Sequence, residues 1–173
     1  MKKLFVLCLV LAGVAKVQAQ KTLYFIRHAD KDTSQQAAGS AFMLASNPPL
    51  SAKGKLQANY WKQYFDSIPL QAAYTTNFDR TIKTVEPTAL SKNITALLYN
   101  AKDAEHFAET IVEGAANHIL VVGHSNSSPV LASFFAGIQP PLPAMPETVF
   151  NSLYIVHNYP AKPRLEIRTV ALP

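Results

Sequence analysis

Two short stretches place the same kind of side chain just past an apolar run. In "LYFIRHADKD" (residues 23–32) the run ends on Arg27, His28 and the small Ala29, and in "ILVVGHSNSSPV" (residues 119–130) it ends on His124. A third, "AAYTTNFDR" (residues 72–80), leads to Arg80. Two guanidiniums and two imidazoles would make an anion site suited to a tetrahedral phosphoryl group. Arginine offers planar forks of donors to phosphate oxygens and keeps its charge when partly desolvated. A neutral imidazole adds a nitrogen able to attack phosphorus in line, provided an acceptor on its other nitrogen holds the tautomer. A helix starting near Ser127 would point amide groups and a positive dipole end toward the same anion.

Those residues need a scaffold that brings three strand ends together. "TLYFIR", "AAYTT", "ITALLY" and "HILVVG" read as strands, and "SLYIVH" and "RLEIRTV" as two late ones. Between them, "SAKGKLQANYWKQYFDSI" reads as a helix capped by Ser51, with Leu56, Tyr60, Tyr64 and Ile68 at helical spacing. "NFDRTIKTVEPTAL" reads as a helix with Ile82, Val85 and Ala89 on one face, interrupted at or near Pro87. "DAEHFAETIVEG" follows with Asp103 as N-cap, Phe107 and Ile111 inward and Gly114 at its end. "SSPVLASFFAG" has Pro129 in its first turn and Gly137 as its stop, and "PPLPAMP" reads as a loop. Strands alternating with helices predict an α/β fold, a three-layer sandwich with a mainly parallel sheet flanked by helices. In such sheets ligands collect at the carboxyl ends of the strands, which is where Arg27, His28, Arg80 and His124 fall.

Composition sets the bounds. The 173 residues suffice for one domain with a core, and the 49% apolar and 16% charged fractions are those of a globular chain. Residues 1–19 have Lys2 and Lys3, an apolar run from Leu4 to Val14 and small residues near Ala19, and read as a signal peptide cleaved after Ala19. The expected product is a single domain, residues 20–173, exported to the periplasm or secreted, with no stable membrane insertion after cleavage. Cleavage removes three lysines, so the formal charge falls from +5 to +2, and no basic run remains to suggest a nucleic-acid partner. It also removes Cys8, the single cysteine, which excludes disulfides, zinc thiolates and a cysteine nucleophile. His106, His118 and His157 show no metal-ligand spacing with either site histidine. No metal and no other cofactor is implied, because the arginines and histidines supply the positive charge.

The chain resembles the histidine phosphatase superfamily, which includes the cofactor-dependent phosphoglycerate mutases and the small phosphohistidine phosphatases. The resemblance rests on four motifs in order: "YFIRHADK", "LSAKGKLQA", "YTTNFDRTIKTVEPTA" and "VVGHSNSSP". It implies a phosphoglycerate mutase-like fold and a metal-independent phosphatase acting on a small phosphorylated substrate. It makes His28 the nucleophile, through a covalent phosphohistidine, and Arg27, Arg80 and His124 the phosphate clamp. Ala29 replaces the common glycine, as in the small phosphatases. The acid that the mutases use as proton donor lies in a segment this chain lacks, and Glu105 and Asp30 are the candidates for that role. Two other readings stand beside it. One is a phospho-ligand binder of the same fold without turnover. The other is a serine hydrolase, because "GHSNS" looks like a nucleophile elbow with Ser125 as nucleophile, although its last position is Ser127 rather than glycine. Neither the substrate nor the oligomeric state is legible.

Overall fold

The computed structural model describes residues 20–34 and 47–172. The expected signal peptide and most of the loop "TSQQAAGSAFMLASNPP" lie outside the described residues. In chain order the elements are β1 (Lys21–Arg27), α1 (Ala52–Tyr64), β2 (Ala72–Thr75), α2 (Asp79–Ser91) and β3 (Ala96–Leu98), followed by α3 (Ala104–Glu113), β4 (His118–Gly123), α4 (Ser128–Ala136), β5 (Ser152–Tyr159) and β6 (Arg164–Thr169). One six-stranded sheet runs β3-β2-β4-β1-β5-β6. Its first four strands are parallel, β5 runs antiparallel to β1, and β6 antiparallel to β5.

The central strands are continuous apolar runs because both their faces are covered. Leu23, Phe25, Ile119 and Val121 enter one core with Phe107, Ile111, Leu131 and Phe135 of α3 and α4. Their neighbours Tyr24, Ile26, Leu120 and Val122 enter a second core with Trp61 of α1, Phe65, and Val85 of α2. That is the three-layer arrangement expected from the alternation of elements. The edge strand β3 is shorter than "ITALLY" predicts, and Leu97 and Leu98 are exposed there. Helix α2 runs through Pro87 without stopping, and Thr84, Val85, Thr88 and Ala89 are buried on both sides of the proline. Packing outweighs the single backbone hydrogen bond that a proline removes.

Helix α1 begins where expected, with the Ser51 hydroxyl accepting from Gly54 N–H, but buries a different face. Leu56 and Tyr60 are exposed, whereas Gly54, Gln57, Ala58 and Trp61 face inward. The reason lies in what the helix packs against, namely the backbone just past β1. A Cβ on Gly54 would sit 2.0 Å from Asp30 O, so only glycine permits this approach. Gln57 Oε1 accepts Asp30 N–H at 2.9 Å, which explains why a polar residue holds a core position. Replacing Gly54 by alanine should therefore push α1 off the Asp30 backbone. A loss of roughly 1–3 kcal/mol, the usual cost of overpacking, is expected in urea unfolding.

Candidate active site

His28 stands one residue past β1. Its N–H donates to Gly123 O at the end of β4 (2.9 Å), and its side chain is 3% exposed. Nδ1 lies 2.7 Å from the carbonyl oxygen of Ala29, so Nδ1 carries the proton and Nε2 keeps its lone pair. Burial, followed by the nearby charges of Arg27 and Arg80, holds the His28 pKa down to about 3. The imidazole is thus neutral at any physiological pH. Ala29 N–H donates to Thr84 Oγ1 (2.9 Å), and Thr84 Oγ1 donates to Arg80 O (2.6 Å). The end of β1 is thereby tied to the first turns of α2, the helix that carries Arg80.

The His124 ring lies 5.5 Å from that of His28, edge to face. Its Nε2 is 2.9 Å from Thr76 Oγ1. The Thr81 hydroxyl donates to the carbonyls of Thr76 and Phe78, so the Thr76 hydroxyl donates on to Thr81 and accepts from His124 Nε2–H. This chain leaves Nδ1 of His124 as the bare nitrogen. Burial, with Arg80 and Arg27, lowers the His124 pKa to about 4. Gly123 precedes it because a Cβ there would lie 2.7 Å from Ser127 Oγ and 2.8 Å from the Tyr99 hydroxyl.

One cavity of about 450 Å³ brings His28, Arg80 and His124 together with Lys31, Ser125 and Glu147. The Arg80 guanidinium lies 4.4 Å above the Phe78 ring, and its buried Nε and Nη1 have no hydrogen-bond partner among the described residues. Two buried, unpaired donors beside two neutral imidazoles are an arrangement suited to an oxyanion.

Arg27 departs from the expected clamp. It is 1% exposed and does not line the cavity. Its Nη1 reaches the carbonyls of Pro146, Glu147 and Val149 at 3.0–3.1 Å, and its face lies 4.3 Å from the Phe150 ring. Its Nη2 donates to Glu147 Oε2 at 2.5 Å. Arg27 therefore anchors the loop between α4 and β5, with only Nη2 turned toward an anion. That anion is the Glu147 carboxylate, whose Oε1 also accepts from Ser125 Oγ at 2.6 Å. The Ser125 hydrogen bond and the Arg27 charge hold the Glu147 pKa low.

Glu147 is the site residue that the sequence reading missed. The signal was that β5 runs antiparallel to β1, so residues just before β5 return to the edge that residues just after β1 leave. The two acids expected from sequence lie elsewhere. Asp30 is engaged with α1, where its carboxylate accepts from Ser51 Oγ at 2.6 Å, and Glu105 is exposed in the first turn of α3. Ser125 pairs with the Glu147 carboxylate rather than with a histidine, so the serine–histidine pair of a nucleophile elbow is not formed. The amides of Ser127 and Ser128 turn back onto His124 O, so they are not free to bind an anion as expected.

Residues 23–102 match the sequence model of the histidine phosphatase superfamily (branch 1). No curated protein matches the chain in sequence. Among solved structures, the alpha-ribazole phosphatase from Shigella flexneri superposes with a TM-score of 0.65 at 13% identity, covering 88% of this chain and 98% of that one. The protein histidine phosphatase SixA complexed with tungstate superposes with a TM-score of 0.64 at 14% identity, covering 86% and 96%. The mycobacterial glucosyl-3-phosphoglycerate phosphatase does so with a TM-score of 0.64 at 11% identity, covering 88% and 100%. These three share the fold. Residues 23–102 are thus similar in sequence to the histidine phosphatase superfamily, and nearly nine-tenths of the chain shares the fold of these solved phosphatases.

Proposed function

We propose that the protein is a phosphatase that hydrolyses a phosphomonoester through a covalent phosphohistidine at His28. The observation that carries this reading is the His28 ring itself, which is neutral, fixed through Nδ1–H on Ala29 O, and set beside the unpaired donors of Arg80. Its Nε2 lone pair attacks phosphorus while the ester P–O bond breaks and the leaving oxygen takes a proton. Water then attacks phosphorus, the P–N bond breaks, and His28 returns to its neutral form with inorganic phosphate released. Arg80 holds the equatorial oxygens. His124 becomes a donor from Nδ1 once the phosphoryl charge lifts its pKa. The positive charge of the clamp comes from arginine, which favours action without a metal. Of the other readings, the phospho-ligand binder uses this same clamp, whereas the serine hydrolase leaves it without a role.

Glu147 supplies the proton in this scheme. Its carboxylate occupies the place on Arg27 Nη2 that a phosphoryl oxygen would take. An arriving dianion removes that partner and adds negative charge beside the acid, both of which raise its pKa. The carboxyl then gives its proton to the leaving oxygen and is reprotonated from solvent between turnovers, while the protons of the attacking water leave on the phosphate product.

Three measurements test the scheme. His28→Ala should abolish turnover of p-nitrophenyl phosphate while Ser125→Ala keeps most of it; substantial turnover by the first variant would overturn the nucleophile, and phosphate binding without any wild-type turnover would favour the binder. Glu147→Gln should slow alkyl phosphates by roughly 10²–10⁴-fold and barely change aryl phosphates, whose leaving groups need no proton, while Asp30→Asn and Glu105→Gln leave that contrast unchanged. Equal slowing of both ester types would remove Glu147 from the donor role. The third is pH-dependent stability. The His28 and His124 pKa values lie below the free imidazole value, so both groups stabilise the fold fully above about pH 6.5 and lose that contribution as pH falls toward their folded values of about 3 and 4. The urea midpoint should decline from about pH 6.5 downward, and less steeply in His28→Gln, which has no imidazole to titrate.

A further inference from the structure

Beyond the wall formed by Phe78 and His124 lies a second cavity of about 460 Å³, within the range of small-molecule sites. It shares Phe78, His124 and Asn126 with the cavity that holds His28, and His28 does not line it. The hydroxyls of Thr76 and Ser127 and the Asn100 side-chain carbonyl oxygen along its inner surface are already engaged within the protein. Thr76 Oγ1 is held by His124 and Thr81, and Ser127 Oγ accepts His124 N–H at 2.9 Å. Asn100 Oδ1 accepts Lys102 N–H at 3.1 Å. The Tyr99 hydroxyl is too buried to meet a ligand, has no hydrogen-bond partner among the described residues, and is kept protonated by that burial. Phe78 and Val130 are instead 37% and 41% exposed, an unusual display of apolar surface beside a charged site. Among the described residues no carboxylate lines this cavity, and Lys102 is the one full charge there.

Resting on the phosphatase reading, we propose that this second cavity binds the leaving group of the substrate, and that it takes an aromatic, largely apolar group of one or two rings. A polyhydroxylated group would find few free partners on the inner surface and would give up its water without replacement. An aromatic group stacks on Phe78 and covers Val130, and any polar substituent meets the amides and Lys102 at the rim. The phosphoryl group meanwhile stays on Arg80 and His28, with the ester bond crossing the wall between the two cavities.

The experiment compares two non-hydrolysable probes, methylphosphonate and (2-naphthylmethyl)phosphonate, by calorimetry on the full chain. The naphthyl probe should bind at least about tenfold tighter, because only it buries apolar surface in the second cavity. Val130→Asp, which places a carboxylate at the cavity's exposed wall, should bring the two affinities together. Variant affinity for methylphosphonate reports whether the phosphoryl site is still folded. Equal affinities in the wild-type protein, or an undiminished naphthyl preference in the variant, would overturn the subsite. Because neither probe is turned over, a failure of the phosphatase reading appears separately, as absent hydrolysis of any ester, with the affinity ratio still judging the cavity.

Discussion

In the parallel pairing of β1 and β4, Arg27 lies opposite Gly123, and the next amide, His28 N–H, closes onto the Gly123 carbonyl. Everything in the site depends on that register. A shift of one residue would turn His28 into one of the two cores and Arg27 out of its loop, because successive strand side chains point to opposite faces. The hydrogen bond also sets His28 and His124 at the same level of the sheet, since His124 follows Gly123 directly. The register is in turn fixed by eight apolar side chains of the two strands, split evenly between the two cores.

Burial gives these polar residues their chemistry. An exposed imidazole would be partly protonated near neutrality, whereas His28 and His124 are kept neutral chiefly by desolvation and then by the nearby arginines. The same dry surroundings leave the Arg80 donors costly to keep unpaired, so an oxyanion gains more there than it would in water. Glu147 is the counterweight. It partly neutralises Arg27, raises the pKa of His124 slightly, and sits in the cavity on a loop that Arg27 itself holds by three carbonyls. One guanidinium thus sets both the loop and the acid that the loop carries.

The strands and helices were legible because each has a local signature, such as the unbroken apolar runs of β1 and β4, the Ser51 and Asp103 caps, and the Gly137 stop. The buried face of α1 was not. Leu56 and Tyr60 are exposed, whereas Gly54, Gln57 and Ala58 share the inward face with Trp61, because the partner surface is polar backbone at Asp30 beside the apolar core that Trp61 enters. Hydrophobic spacing reports burial only where the neighbour is also apolar.

The sequence by itself determined which residues end the strands, and hence that Arg27, His28, Arg80 and His124 gather at one edge of a parallel sheet, because strand ends follow from local apolar runs and chain order. Only the tertiary structure decided how they divide the work. Arg27 turned away to hold the 146–150 loop, Arg80 kept its donors free, and Glu147 arrived from a segment distant in sequence. Those outcomes depend on side-chain directions and on contacts across more than a hundred residues, such as that of Arg27 with Glu147, for which no local pattern exists. The apolar second cavity is of the same kind. It arises where the ends of β2, β3 and β4 meet, and its inner surface is largely apolar in character because the Thr76 and Ser127 hydroxyls are engaged within the protein and the Tyr99 hydroxyl is buried.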